Sequence, residues 1–162
     1  MAPSATEDSG SGRAHLGAWR LAAILWAAYI FSMSTETFGG SRTRTWLAAL
    51  LTAAHLHLTE SALDLLNTMI RKLAHLSEYG VFSLLIYRSL SGALRFRWSP
   101  RVAGWAVLCA AAYSLSDELH QTVVPGRTPS LIDCGIDSAG ALLAMLIVYC
   151  SSTLSARHYA RN

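Results

Sequence analysis

The chain has 162 residues, 52% of them apolar and 14% charged, with a formal charge of +3 and a mean hydropathy of +0.34. That length suits one domain, and the apolar excess departs from the composition of an average soluble one. The basic residues are scattered rather than gathered into a block, which argues against nucleic acid as a partner, because such a footprint needs a basic patch or stripe.

Residues 1–14 are small and polar and are expected to form a disordered lead. Residues 15–34, HLGAWRLAAILWAAYIFSMS, supply about the twenty apolar residues that a helix needs to cross hydrocarbon. Arg20 sits near the start, where its stem can snorkel to the interface. A cleavable signal peptide is the competing reading, but no clean A-x-A site follows the apolar core, which favours retention. Residues 35–68 are a polar-to-amphipathic connection. Trp46, Leu47, Leu50, Leu51 and Ala54 fall at helical spacing, as do Leu63, Leu66 and Ile70, which predicts two short amphipathic helices. His55 and His57 are two apart, so they would face different sides of a helix and read as surface residues.

Three further apolar spans are expected, at about Met69–Leu90, Val102–His120 and Leu131–Ser151. A short basic link with Arg95, Arg97 and Trp98 separates the first two of these. The three cysteines, Cys109, Cys134 and Cys150, lie in apolar stretches without metal-ligand spacing and read as small buried hydrophobes. The predicted fold class is therefore all-α: a polytopic membrane protein with four transmembrane helices, plus short amphipathic helices between the first and second. The membrane domain would occupy residues 15–152 and a short tail residues 153–162.

Four spans place Arg13, Arg20, Arg88, Arg95, Arg97, Arg101, Arg157 and Arg161 on one side. Arg42, Arg44, Arg71, Lys72 and Arg127 fall on the other. By the positive-inside rule both termini and the tail are cytoplasmic, and the residues with chemistry face outward.

Those residues fall on three helix faces. Lys72, His75, Tyr79 and Ser83 share one face of the second span, with Glu78 at its edge. Tyr113, Ser116, Asp117 and His120 share a face of the third, with Gln121 at its margin and Glu118 turned further away. Ser130, Asp133 and Asp137 share a face of the fourth, followed by Gly140, Ala141 and Ala144, small enough for a neighbouring helix to approach closely. Exposing polar groups to hydrocarbon is costly, so the three faces are expected to point at one another near one membrane surface. Between the third and fourth spans, Val124-Pro125-Gly126-Arg127 reads as a type II turn. It would hold Arg127 over the mouth of the bundle, in position to capture a phosphate or carboxylate. Each polar group also has a purely structural alternative. Arg127 can pair with Asp133 or Glu118, His75 with Glu78, and Asp117 with His120. A histidine beside a carboxylate is equally the usual equipment for general acid–base work, which makes His75, Asp117, Glu118 and His120 the catalytic candidates. Lys72, Glu78, Tyr79, Gln121, Arg127, Asp133 and Asp137 are the ligand-binding candidates. A metal site ranks below both readings for want of a cysteine ligand or H-x-x-x-H spacing, and the pattern calls for no cofactor.

The stretches RKLAHLSEYGVFSLLIYRSL (71–90) and DELHQTVVPGRTPSLIDCGIDSAGALL (117–143) resemble the VanZ-like family of small bacterial membrane proteins. The family pattern runs Lys-x-x-His-x-x-x-Tyr, then Asp-Glu-x-His-Gln, a Pro-Gly-Arg turn, and an Asp followed by Asn-x-x-Gly. Lys72, His75, Tyr79, Asp117, Glu118, His120, Gln121, Pro125, Gly126, Arg127, Asp133 and Gly140 fit it. FSMSTET after the first span is similar to the family's serine-containing end to that helix. Asp137 departs from the pattern, standing where the family usually has Asn. The resemblance implies a protein of the bacterial cell envelope linked to reduced susceptibility to teicoplanin, a lipid-tailed glycopeptide. The expected partners are the bilayer and an anionic lipid or lipoglycopeptide. A membrane-embedded enzyme acting on a lipid-linked or cell-wall substrate, and a structural or partner-binding module, are the alternatives.

Overall fold

A computed structural model of the chain describes residues 5–35, 40–91, 98–124 and 129–159. Every element among them is a helix: α1 (Ala5–Met33), α2 (Gly40–Ala53), α3 (Glu60–Ser91), α4 (Pro100–Gln121) and α5 (Leu131–Tyr159). The backbone of α1 is helical from Ala5, so the helix propagates back through the polar lead that composition alone assigned to disorder. The second expected amphipathic segment is not a separate helix. Leu63, Leu66 and Ile70 lie within α3, which runs unbroken for 32 residues. No proline or glycine interrupts it between Glu60 and Tyr79, and Thr59 caps its start by accepting from the Ala62 N–H at 3.3 Å.

Among the described residues, two helices are long and apolar enough to cross a membrane: His15–Met33 of α1 and Leu131–Ser155 of α5. The expected spans in α3 and α4 fall inside those helices but are diluted by Arg71, Lys72, Glu78 and Arg88 in one, and by Asp117, Glu118 and His120 in the other. How α4 spends its residues explains the low hydropathy. Its inner face is Ala103, Ala106, Ala110, Ser114, Asp117 and Gln121, all buried, while Leu108, Leu115 and Leu119 are exposed. Small and polar residues face the bundle and large apolar ones face out, the reverse of a water-soluble helix. Ile24 and Leu25 on α1, Leu73 on α3, and Leu142, Leu146 and Ile147 on α5 are likewise exposed.

α3 is the hub, packing against α1, α2, α4 and α5, with α4 also against α5. The α3–α5 crossing is close enough that backbones touch. A Cβ at Gly140 would overlap the Leu76 carbonyl, and one at Gly80 would come within 3.3 Å of the Gly140 carbonyl oxygen. Glycine at both positions is what permits the approach. One core cluster joins Ile30, Tyr79, Phe82, Ala110 and Ala141; a second, nearer the α3–α4 link, joins Tyr87, Ala103, Ala106, Met145 and Val148. At that link Ser99 caps α4, its hydroxyl accepting from the Val102 N–H, and Pro100 follows as the first helical residue. The Ser99 N–H donates to the Tyr87 hydroxyl at 3.0 Å, and Trp98 packs on Tyr87 and Tyr149.

α2 lies across the start of α3, with Arg44 bonded to Glu60 and, at 2.5 Å, to Asp64. Those two carboxylates push the Arg44 guanidinium above its ordinary pKa. α2 ends in a Schellman motif. His55 takes the left-handed conformation at φ 58°, and the Leu56 N–H reaches the Leu51 carbonyl at 2.9 Å. His55 and His57 are exposed, as expected.

Candidate functional site

Chain direction gathers the polar residues. The end of α1, the first half of α3, the end of α4 and the first half of α5 all lie at one end of the bundle, and side-chain bonds tie them together. Lys72 Nζ of α3 is 3.0 Å from Asp133 Oδ1 of α5. His75 Nδ1 of α3 is 3.3 Å from Asp137 Oδ1 of α5, and Ser114 of α4 donates to the other oxygen of Asp137 at 2.5 Å. Ser34, just past α1, donates to Asp117 Oδ2 of α4 at 2.8 Å, and the Gln121 amide donates to Ser34 at 2.9 Å and to Asp117 Oδ2 at 3.3 Å. Four helices are thus joined through three aspartates. Asp137 is 2% and Asp117 6% exposed. Burial this deep obliges a carboxylate to find donors: one oxygen of Asp137 accepts from Ser114 of α4, and one oxygen of Asp117 accepts from Ser34 and Gln121.

The cluster has two compartments. A cavity of about 190 Å³ opens between α1, α2, α3 and α4, lined by polar Ser34, Thr43, Arg71, His75, Glu78, Asp117 and Gln121 beside Ile30, Met33, Ile70 and Ala74. On the α5 side, Lys72–Asp133 and Glu118 lie outside this lining. Glu118 is 4% exposed and accepts the Ser130 N–H at 2.5 Å. It therefore places a carboxylate at the N-terminus of α5, where the helix dipole favours negative charge. Tyr79 is fully buried next to Phe82, packed edge-on at 6.4 Å.

Two pairings offered by spacing give way to others, and Lys72 finds a protein partner. His75 faces Asp137 across helices rather than Glu78 within its own. Asp117 bonds Ser34 and Gln121 rather than His120, whose ring lies 4.7 Å from that of Phe31. Lys72, expected to meet a ligand, is engaged by Asp133, and the cation lining the cavity is Arg71. Arg127 and the Pro125-Gly126 turn fall outside the described residues. Of the catalytic candidates, His75 has as its nearest carboxylate Asp137, which stands among the ligand-binding candidates.

Sequence reasoning missed Ser34, Ser114 and Arg71 as members of the cluster. Ser114 stands three residues before Asp117 on one helical face, and Arg71 four before His75 and seven before Glu78, so helical spacing carried the signal for both. Ser34 had no such signal, because its partner lies 83 residues away.

The family model described as VanZ/LLP1 matches residues 19–153. That stretch takes in every contact of the cluster. Among curated proteins and among solved structures, none matches the chain.

Proposed function

The chain belongs to the VanZ/LLP1 family, and on that premise we propose that it is a four-span membrane protein whose polar cavity binds an anionic amphiphile at the outer face. Both termini would then be cytoplasmic. The observation that carries this reading is the cavity itself: a polar recess at one end of a bundle whose outward surfaces are leucine and isoleucine. α3 and α4, too polar to read as spans by composition, keep most of their polarity on inward faces, which lets them lie in hydrocarbon.

Arg71 is the group suited to the anion. It lines the cavity and makes no bond to any described residue, and a guanidinium captures phosphate or carboxylate through paired donors. A lipid-linked wall precursor and a lipoglycopeptide both present such groups on an apolar anchor, and sequestering either would lower teicoplanin susceptibility. Arg71→Ala and Arg127→Ala test this in cells producing the protein, with susceptibility read against membrane abundance. Susceptibility returning to the level of cells without the protein, at unchanged abundance, is the expected result. Unchanged resistance in both variants would overturn the reading.

A second reading, a membrane-embedded acid–base enzyme, is favoured by one contact, the His75–Asp137 pair beside the cavity. It requires a chemically altered lipid or drug in extracts of active cells. Mass spectra showing none would remove it.

A further inference from the structure

We propose that the inner end of the cavity is a primary-ammonium site, formed by Asp117 and Glu78, and that the bound amphiphile is zwitterionic in the manner of a phosphoethanolamine head group. This rests on the anion-binding reading above and names the other half of the ligand.

Two unmet carboxylate valences carry the inference. Asp117 lines the cavity and is 6% exposed, yet both of its bonds fall on Oδ2, from Ser34 and Gln121. Its Oδ1 is buried without a hydrogen-bond partner. Glu78 lines the same cavity, and its carboxylate receives no hydrogen bond from any described residue; only its backbone carbonyl is engaged, by the Trp26 indole N–H at 2.9 Å. A buried oxygen such as Asp117 Oδ1 is costly unless a donor reaches it, and half-buried Glu78 adds a second carboxylate to the same space. What they lack is N–H, and two carboxylates facing one space suit a cationic donor better than a hydroxyl.

The cavity wall also has polarity along its length. Arg71 and Glu78 are seven residues apart on one face of α3, roughly 10 Å along its axis. The Arg71 guanidinium therefore starts about two turns along α3 from the Glu78 carboxylate. A ligand that brings only an anion would leave Asp117 and Glu78 unsatisfied and add a like charge near them. One with an ammonium beyond its phosphate meets both ends. A quaternary ammonium has the charge but no N–H, so it would not satisfy Asp117 Oδ1.

The test uses the full chain reconstituted in phosphatidylcholine vesicles doped equally with phosphatidylethanolamine and phosphatidylglycerol. The protein is then released in mild detergent and its retained lipid identified by native mass spectrometry. Phosphatidylethanolamine should be enriched on the order of tenfold over either competitor, the effect of one charge-assisted bond. Glu78→Gln should abolish that preference, and so should Asp117→Asn, whose amide still offers an oxygen to Ser34. Soluble glycerophosphoethanolamine displacing the lipid would assign recognition to the head group alone. Failure to displace it, with the preference intact, would assign recognition to head group and chains together. Enrichment of phosphatidylglycerol, lost in Arg71→Ala and unmoved by Glu78→Gln, would overturn the ammonium site and leave the anionic-amphiphile reading standing. Retention of no lipid above phosphatidylcholine would overturn both.

Discussion

Where α3 finishes and α4 begins, the helices are joined by aromatic rings and alanines: Tyr87, Trp98 and Tyr149 around Ala103, Ala106, Met145 and Val148. Where α3 begins and α4 finishes, the joints are Ser34–Asp117, Ser114–Asp137, Lys72–Asp133 and His75–Asp137. The first end is closed by shape. The second is closed by hydrogen bonds and ion pairs with buried polar atoms left over, Asp117 Oδ1 and the Tyr79 hydroxyl among them, and with half-buried Glu78 facing the cavity. Packing alone would serve to hold the bundle, and buried ion pairs stabilise weakly. The polar end therefore carries buried charge that packing by itself does not call for, and the proposed ligand would draw on it.

Between the two ends lies the α3–α5 crossing, and breaking it should have the largest effect. In Gly140→Leu the side chain meets the Leu76 backbone, which cannot rotate away. The cost should reach or exceed about 3 kcal/mol, the upper part of the range for overpacking, read as lost thermal stability of the detergent-purified chain. Met145→Ala at the apolar end removes buried volume with no polar consequence. It should cost about 2–3 kcal/mol and leave any ligand retention unchanged in native mass spectra. Ser114→Ala at the polar end removes less volume but leaves Asp137 Oδ2 without its donor, and about 1–3 kcal/mol is expected. Asp137→Asn, which restores the residue usual in the family, keeps an oxygen for Ser114 and removes a buried charge. A smaller loss than for Ser114→Ala would show that the hydrogen bond, and not the charge, fastens this end. A larger one would reverse that ranking.

The smallest effects belong to the connection outside both ends. His55→Gly relieves a left-handed non-glycine residue and should raise stability by about 1 kcal/mol. Arg44→Ala removes exposed pairs with Glu60 and Asp64. Its shift in melting temperature should fall below that of Ser114→Ala and shrink further in high salt, because exposed pairs are screened.

Helix type and the approximate positions of the long helices were legible in the sequence because hydrophobic runs and 3.6-residue periodicity are local properties. The polar residues of α3 and α5 could be grouped by face for the same reason, as with His75 and Tyr79, or Asp133 and Asp137, but on α4 Ser116, expected on the face of Asp117, is exposed and Glu118, expected to turn away, is buried. Gly140, Ala141 and Ala144 could be picked out as a close-approach row, but not Gly80 as the glycine facing it. The partners were not legible. Spacing proposed His75–Glu78 and Asp117–His120, both within one helix, because only neighbours in sequence can be compared without a fold.

By itself, the sequence determined an all-helical chain with polarity concentrated in three helix segments that chain reversal brings to one end. Tertiary structure alone decided that Asp137 meets His75 and Ser114, that Asp133 occupies Lys72, and that Arg71 and Glu78 are left facing a cavity with Asp117. The reason is rotational. Adjacent residues on a helix differ by about 100°, so the angle at which α3 packs on α5 determines whether Arg71 or Lys72 meets the neighbouring carboxylate. That angle is fixed by the glycine contact at Gly80 and Gly140, which lies between helices and in neither one alone.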